Sequence, residues 1–332
     1  MRIAALLLAA CAALAGPAQA EWIVEDTAVM GTAVHVRAWH EDGDRARDAV
    51  ADALDVLHHV DATMSPYRAD SDLSRVNDRA HLEPVTVGPE LLEVLRHAAE
   101  VSELTGGAFD VTFASVGRFY DYREGRRPDA SALAAHLPAI DWHHVQLDRS
   151  AGTVAFAREG VSIDLGGIAK GYAVERAIAR MRAHGIRHGQ VTAGGDTRLL
   201  GDRVGRPWII GIQDPRDETR LVTRIPLVDE AVATSGDYER YFEEDGIRYH
   251  HILDPTSGDS ARKVRSATII GPDATFTDAF STSVFVLGPE AGLAFIEARP
   301  GYEAVIVDGE GQMHFSSGLA PPGAQVTART AP

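Results

Sequence analysis

The sequence is short of lysine, of cysteine and of positive charge as a whole. Of the 32 basic residues among its 332, only Lys170 and Lys263 are lysines. A single cysteine, Cys11, excludes a disulfide framework within the chain. Acidic residues outnumber basic ones by 48 to 32, a formal charge of −16. This balance argues against a nucleic-acid-binding protein, because such a protein needs a basic surface.

The first twenty residues have the composition of an export signal. The segment MRIAALLLAACAALAGPAQA has one charge, at Arg2, then an apolar run, then small residues at Ala18 and Ala20. This pattern predicts a signal peptide over residues 1–20 and delivery to a bacterial periplasm. A second interpretation makes residues 8–11 a lipoprotein box, so that a lipidated Cys11 anchors the protein to the inner membrane, facing the periplasm.

The rest of the chain alternates between helix-like and strand-like patterns. Apolar residues recur at helical spacing over residues 44–60, 90–104, 167–183 and 276–287. Short strand-like segments separated by turns fill much of the remainder, including residues 161–163. We therefore predict an α+β fold with largely antiparallel sheets and packed helices over residues 21–319. Residues 320–332, rich in Pro, Gly and Ala, are expected to form a flexible tail.

A glycine-rich segment, DLGGIAKGY over residues 164–172, follows a predicted strand and opens a predicted helix. Glycines at such a turn let main-chain N–H groups approach an anion, and the helix N-terminus adds a favourable field. Lys170 falls in the first helical turn, where it could meet a phosphate. The spacing matches neither a Walker A box nor a dinucleotide-binding fingerprint. The plain alternative is a tight turn followed by a surface lysine.

Two further polar groups have spacings that suit chemistry. Asp278 and Thr282 are four residues apart on a predicted helix and share a face, and their oxygens suit Mg²⁺ or Ca²⁺. The alternative is an aspartate favoured by the helix dipole in the first turn, with a core threonine. His250 and His251 precede a polar turn over residues 254–258 and face opposite sides of a strand, so only one can serve a given site. That turn could equally be an ordinary hairpin connection.

In this order the motifs resemble the ApbE family, the FAD:protein FMN transferases. The resemblance runs over residues 25–315, and its most specific blocks are residues 164–172 and HILDPTSG over residues 251–258. It implies an ApbE-like, T-fold-like architecture and an enzyme that uses FAD as substrate. FMN would be attached by a phosphoester bond to a threonine or serine of an acceptor protein, and AMP would leave.

The resemblance also implies a set of site residues. FAD-contacting positions fall on Met30, Tyr67, Ala108, Phe109, Asp110, Asp164, Lys170 and Ile252. The magnesium ligands match Asp278, Thr282 and the carbonyl of Gly167, and Ca²⁺ or Mn²⁺ could substitute for Mg²⁺. His251 matches a family histidine and is the candidate for assisting deprotonation of the acceptor hydroxyl. Asp278 and His251 are therefore the predicted catalytic residues.

The partner implied by the resemblance is an acceptor protein with a flavinylation motif, such as a membrane-associated redox subunit. Such motifs resemble Asp-x-x-[Ser/Thr]-Gly-Ala-[Ser/Thr], and this sequence has none, so modification of the chain by itself is not expected. Two rival functions use the same residues. One is an FAD pyrophosphatase that releases FMN and AMP, and the other is a flavin-binding protein without chemistry.

Overall fold

A computed structural model describes residues 20–319 of the chain. The predicted tail, residues 1–19 of the predicted signal peptide and Cys11 lie outside this range. The helices of the described part are α1 Gly43–Met64, α2 Asp72–Arg79, α3 Pro89–Leu104, α4 Ala114–Gly117, α5 Ala130–His136, α6 Ala169–Ala183, α7 Ala274–Leu287 and α8 Pro289–Glu297. None of the helices within residues 20–319 has both the length and the apolar character needed to cross a membrane.

The strands are short and follow one another around these helices. In chain order they are β1 Glu21–Val29, β2 Thr32–His40, β3 Val85–Thr86, β4 Val145–Asp148, β5 Thr153–Phe156, β6 His188–Ala193, β7 Asp196–Leu200, β8 Trp208–Asp214, β9 Asp217–Leu227, β10 Ala231–Gly236, β11 Tyr241–Glu244, β12 Ile247–His250, β13 Val264–Gly271, β14 Glu303–Asp308 and β15 Met313–Phe315.

One large sheet organises the described residues. Its strand order is β1-β2-β6-β7-β10-β13-β14-β15, and every adjacent pair runs antiparallel. Smaller sheets are formed by β3-β5-β4, β8-β9 and β11-β12. The prediction of an α+β fold with largely antiparallel sheets is confirmed.

The main hydrophobic core lies between this sheet and helices α1, α6 and α7. The buried face of α1 includes Ala46, Ala49, Ala53 and Leu57, which recur at the predicted helical spacing. Helix α7 packs against β10 and β13 on one side and against α6 on the other. Most of α7 is therefore buried, as is all of β13 apart from Arg265. A polar group on the inner side of α7 is consequently held in a fixed place.

The predicted strand over residues 161–163 is wrong. The segment is extended, but its partner is a side chain instead of a neighbouring strand. Asn77, on α2, donates from Nδ2 to the carbonyl of Ile163 at 2.9 Å and accepts from the N–H of Ile163 at 2.8 Å. One amide side chain thus satisfies both main-chain groups of Ile163, the residue just before the glycine-rich segment.

Candidate active site

The glycine-rich segment forms a loop whose main chain is held at several points. The N–H of Asp164 donates to the carbonyl of Val111 at 3.0 Å. Its carboxylate in turn accepts from the N–H of Gly166 at 2.7 Å. Helix α6 begins at Ala169 and not at Gly167 as the periodicity predicted, so the glycines at 166 and 167 both stay in the loop. The loop therefore presents its backbone at the N-terminus of α6.

Gly171 allows α6 and α7 to cross closely enough to build the site. A Cβ atom at this position would collide with the carbonyl oxygen of Ala274 and lie 2.6 Å from Cβ of Asp278. With glycine there, the N–H of Gly171 donates to Oδ2 of Asp278 at 2.9 Å. The absence of a side chain thus places a carboxylate of one helix on the first turn of the other.

Asp278 is in the interior of α7 and not in its first turn. The N-cap of α7 is Asp273, whose carboxylate accepts from the N–H groups of Thr275 and Phe276. Asp278 lies five residues further along, and only 2% of its surface is exposed. The alternative of an aspartate in the first turn, favoured by the helix dipole, is therefore wrong. Burying a carboxylate costs free energy unless the carboxylate is paired, so the groups that pair with Asp278 indicate its role.

Lys170 is the partner that the two buried acids of the site share. Its Nζ lies 2.7 Å from Oδ2 of Asp196 and 3.4 Å from Oδ2 of Asp278. It also donates to the carbonyl of Gly166 at 2.9 Å. Burial alone would lower the pKa of Lys170, but the two carboxylates outweigh it and raise that pKa above its ordinary value. The alternative of a surface lysine after a tight turn is wrong.

This centre has more acidic groups than basic ones. Burial and the neighbouring Asp278 raise the pKa of Asp196 to about 7, even with Lys170 opposing the change. Burial likewise raises the pKa of Asp278, and Lys170 opposes that increase. Two carboxylates thus share one ammonium, which leaves the centre able to accept a further cation. The sequence reasoning missed Asp196, although the Gly194-Gly195-Asp196 block stands out in the sequence as a turn followed by an acid.

Neutral oxygen atoms lie beside the acids. The hydroxyl of Thr282 is 3.2 Å from that of Ser235 on β10, which also contacts Ser281 at 2.8 Å. A Cβ on Gly167 would lie 3.0 Å from the Thr282 hydroxyl, so the loop passes directly beside it. Ser235 was not predicted as part of the site, because only the pairing of distant elements places it there.

This donor set fits a hard divalent cation. One carboxylate, one hydroxyl and a nearby carbonyl are the oxygen ligands that Mg²⁺ and Ca²⁺ prefer. Within residues 20–319 no three His, Cys, Asp or Glu side chains are grouped in a way that could hold a metal ion. A cation here would therefore depend on the mixed set of Gly167, Asp278 and Thr282, and the residues present suit it.

The two adjacent histidines have different surroundings. His250 is buried, and its Nε2 lies 2.7 Å from the carbonyl of Ala261, so it has a structural role. The Nδ1 atom of His251 is buried without a hydrogen-bond partner among the described residues. Burial, assisted by the nearby charges of Arg240 and Lys170, lowers the pKa of His251 to about 3. The imidazole of His251 is therefore neutral, and Arg240 and Lys170 are the side-chain charges near it.

The other residues implied by the resemblance surround this centre in different ways. Met30 occupies a two-residue hairpin turn between β1 and β2 with a φ of 57°, a conformation that non-glycine residues rarely adopt. Tyr67 is 80% exposed, whereas Phe109 and Ile252 are 4% and 6% exposed. Ala108, next to Phe109, is half-buried. The buried ring of Phe109 packs on the loop at Gly167.

Asp110 has a clear structural role. Its Oδ1 accepts from the N–H and hydroxyl of Thr112 at 2.8 and 2.6 Å, and its Oδ2 accepts from the N–H of Trp142 at 2.9 Å. Burial nevertheless raises the pKa of Asp110. Its carboxylate thus organises the turn at residues 111–113, which in turn holds Asp164. Whether Asp110 also contacts a flavin stays a prediction.

A buried polar centre of this kind, built on a helix N-terminus, is typical of an active site. The ApbE family model matches residues 30–306, and the chain belongs to the ApbE family. The resemblance seen in the sequence is confirmed. The FAD:protein FMN transferase of Vibrio cholerae is 34% identical over 302 residues, covering 89% of this chain and 88% of that protein. The one from Treponema pallidum is 32% identical over 310 residues, covering 88% and 86%.

Solved structures agree with the family assignment. The ApbE protein of Thermotoga maritima superimposes with a TM-score of 0.83 at 35% identity, covering 90% of this chain and 98% of that one. The flavin transferase ApbE of Vibrio cholerae gives a TM-score of 0.80 at 31% identity, with the same two coverages of 90% and 98%. The ApbE-like architecture predicted from the sequence is thereby confirmed.

Proposed function

We propose that this chain is an FAD:protein FMN transferase that attaches FMN to a threonine or serine of an acceptor protein. The observation that carries the proposal is the buried group of Asp196, Lys170 and Asp278 at the N-terminus of α6, with the Thr282 hydroxyl beside it. Such a centre suits attack on a diphosphate, where positioning and charge neutralisation supply most of the catalysis. The curated relatives with this name support the same reaction.

In the proposed reaction the acceptor hydroxyl oxygen forms a bond to the phosphorus of the FMN half of FAD. The bond from that phosphorus to the bridging oxygen breaks, so FMN remains on the acceptor and AMP leaves. The proton of the hydroxyl passes to His251. Burial keeps this imidazole neutral in the protein alone, and the negative charge of a bound diphosphate would raise its pKa towards the range of a general base.

We propose that the carbonyl of Gly167, Asp278 and Thr282 hold Mg²⁺, with Ca²⁺ or Mn²⁺ as possible substitutes. When bound, the ion supplies Lewis-acid neutralisation of the diphosphate charge. The need for it follows from the local balance, since Asp164, Asp196 and Asp278 all surround the same loop. Lys170 positions two of these acids, and Asp164 holds the turn of the loop itself.

The partner is proposed to be a protein with a flavinylation motif, such as a membrane-associated redox subunit. The composition of residues 1–20 supports export to the periplasm as the place where the two meet. Lipidation of Cys11, with anchoring to the inner membrane, is the alternative. Mass spectrometry of the mature protein from a membrane fraction decides between them, since a lipidated Cys11 adds the mass of acyl chains.

The function is tested by mixing the protein with FAD, Mg²⁺ and an acceptor domain that contains the motif. AMP together with an acceptor heavier by one FMN supports transfer, and the expected result requires both. AMP with free FMN indicates a pyrophosphatase, and unchanged FAD indicates a binding protein, so either result contradicts the proposal. A parallel reaction with EDTA should form no product, and excess Mg²⁺ should restore it.

A further inference from the structure

Lys170 is already bound by acids of the protein, so another cation of this chain is needed to contact the diphosphate. Its ammonium lies between Asp196, Asp278 and the carbonyl of Gly166. These partners already neutralise the positive charge that the sequence assigned to a phosphate. A second cationic side chain is therefore needed if the protein itself is to contact the diphosphate.

Arg240 lies at the edge of the same site. It precedes β11, and its carbonyl accepts from the N–H of His251 at 3.1 Å, which fixes its main chain beside the proposed base. Its Nη1 donates to the hydroxyl of Tyr67 at 3.4 Å. Its Nη2 is 3.9 Å from the position of a Cβ on Gly31, the second residue of the Met30-Gly31 turn. The guanidinium thus lies between two separate segments of the predicted FAD site, and the main chain of Arg240 is bonded to a third.

The charge of Arg240 is free to act on a ligand. Among the residues that the structure describes, no carboxylate forms an ion pair with it. Nearby Arg248, by contrast, pairs with Glu243 at 3.0 Å and with Asp237 at 3.5 Å. The positive charge of Arg240 also affects Asp164, an acid of the site. Burial raises the pKa of Asp164, and Arg240 is the first of two cations that oppose this rise.

We infer that the guanidinium of Arg240 binds the diphosphate of FAD. This inference rests on the proposed function and adds to it the residue that recognises the anionic part of the substrate. A guanidinium suits the task because its planar set of donors can bind two phosphate oxygens at once. Since the main chain of Arg240 is already fixed by His251, less freedom is lost when the side chain binds.

The test compares FAD with riboflavin, which lacks the diphosphate and the adenosine attached to it. Dissociation constants for FAD and for riboflavin are measured by flavin fluorescence in Mg²⁺ at constant ionic strength, without any acceptor. The variants are Arg240→Gln, Arg240→Lys and the control Arg224→Gln, which removes an exposed arginine of β9. We expect Arg240→Gln to raise the Kd for FAD by about tenfold or more, because the hydrogen bonds that the guanidinium donates to charged phosphate oxygens are lost.

The Kd for riboflavin should stay unchanged in every variant, and Arg240→Lys should retain part of the FAD affinity. An unchanged Kd for FAD in Arg240→Gln, or an equal loss for FAD and riboflavin, would overturn the inference. A wild-type protein that binds no FAD would overturn it together with the proposed function. A wild-type protein that binds FAD but transfers no FMN would contradict only the proposed function, and the comparison of Kd values would still decide the role of Arg240.

Discussion

Replacing Gly171 with alanine is the sharpest test of how the site is built. The new Cβ would collide with the carbonyl oxygen of Ala274 and lie 2.6 Å from Cβ of Asp278. Both obstacles belong to the main chain or to its first side-chain atom, so no rotamer change can remove them. Helices α6 and α7 would have to move apart, and the hydrogen bond from the N–H of Gly171 to Asp278 would lengthen or break.

The magnitude follows from three opposing effects. Overpacking at a close contact costs about 1–3 kcal/mol, and loss of a hydrogen bond to a carboxylate costs about 1.5–3 kcal/mol. Alanine gains about 1 kcal/mol over glycine inside a helix. The steric and hydrogen-bond effects win, and the free energy of unfolding of Gly171→Ala should fall by about 2–4 kcal/mol. For a domain of about 300 residues, Tm should fall by roughly 3–6 °C.

The assay pairs thermal unfolding with FMN transfer measured well below Tm. The matched control is Gly88→Ala, because the nearest atom to a Cβ at Gly88 is 3.7 Å away, on a side chain. Transfer by Gly171→Ala should fall even where the protein is fully folded, since Asp278 is displaced. A variant with the Tm and transfer rate of Gly88→Ala would show that the close crossing of α6 and α7 does not position Asp278.

Three further changes test other parts of the site. Asp278→Asn should lower FMN transfer by about a hundredfold or more while the protein still folds. The control is Asp55→Asn, at an exposed position. Near-normal turnover of Asp278→Asn in Mg²⁺ would contradict the metal assignment. Asn77→Ala should lower the free energy of unfolding by about 2 kcal/mol in urea titrations, because two hydrogen bonds to Ile163 are lost, whereas exposed Asp78→Ala should change little. In wild type, stability should fall as pH drops from about 6.5, because the unfolded chain binds a proton at His251 that the folded chain excludes until a pKa of about 3. His251→Gln should reduce that slope, and an unchanged slope would show that His251 is not buried as a neutral group.

The sequence predicted chiefly those features of the fold that depend on residues close together in the chain. The apolar spacing of residues 44–60 predicted α1, whose buried face carries apolar residues at that spacing. The prediction of a strand at residues 161–163 was wrong because the extended segment is hydrogen-bonded to the side chain of Asn77, 86 residues before Ile163. No local pattern reports a partner at that distance.

The same limit applies to the candidate site. Asp278 and Thr282 could be paired from their spacing, because four residues on a helix place two side chains on one face. The shared contact of Lys170 with Asp196 and Asp278 could not be predicted, since three elements must pack before these charges meet. Arg240 was likewise missed, because its significance lies in the lack of an acidic partner in the folded chain.

The acid excess of the chain also has a consequence at the rim of the large sheet. Strand β1 forms one edge of that sheet and is nine residues long, so its outer main-chain groups could template pairing with another copy. Glu21, Glu25 and Asp26 lie along this edge and are exposed. Two such edges brought together would bring the acids of one copy close to those of the other, which opposes pairing, although Glu21 is paired with Arg47 and Asp26 with His35. The exposed acids of β1 thus oppose pairing of this edge with the same edge of another copy.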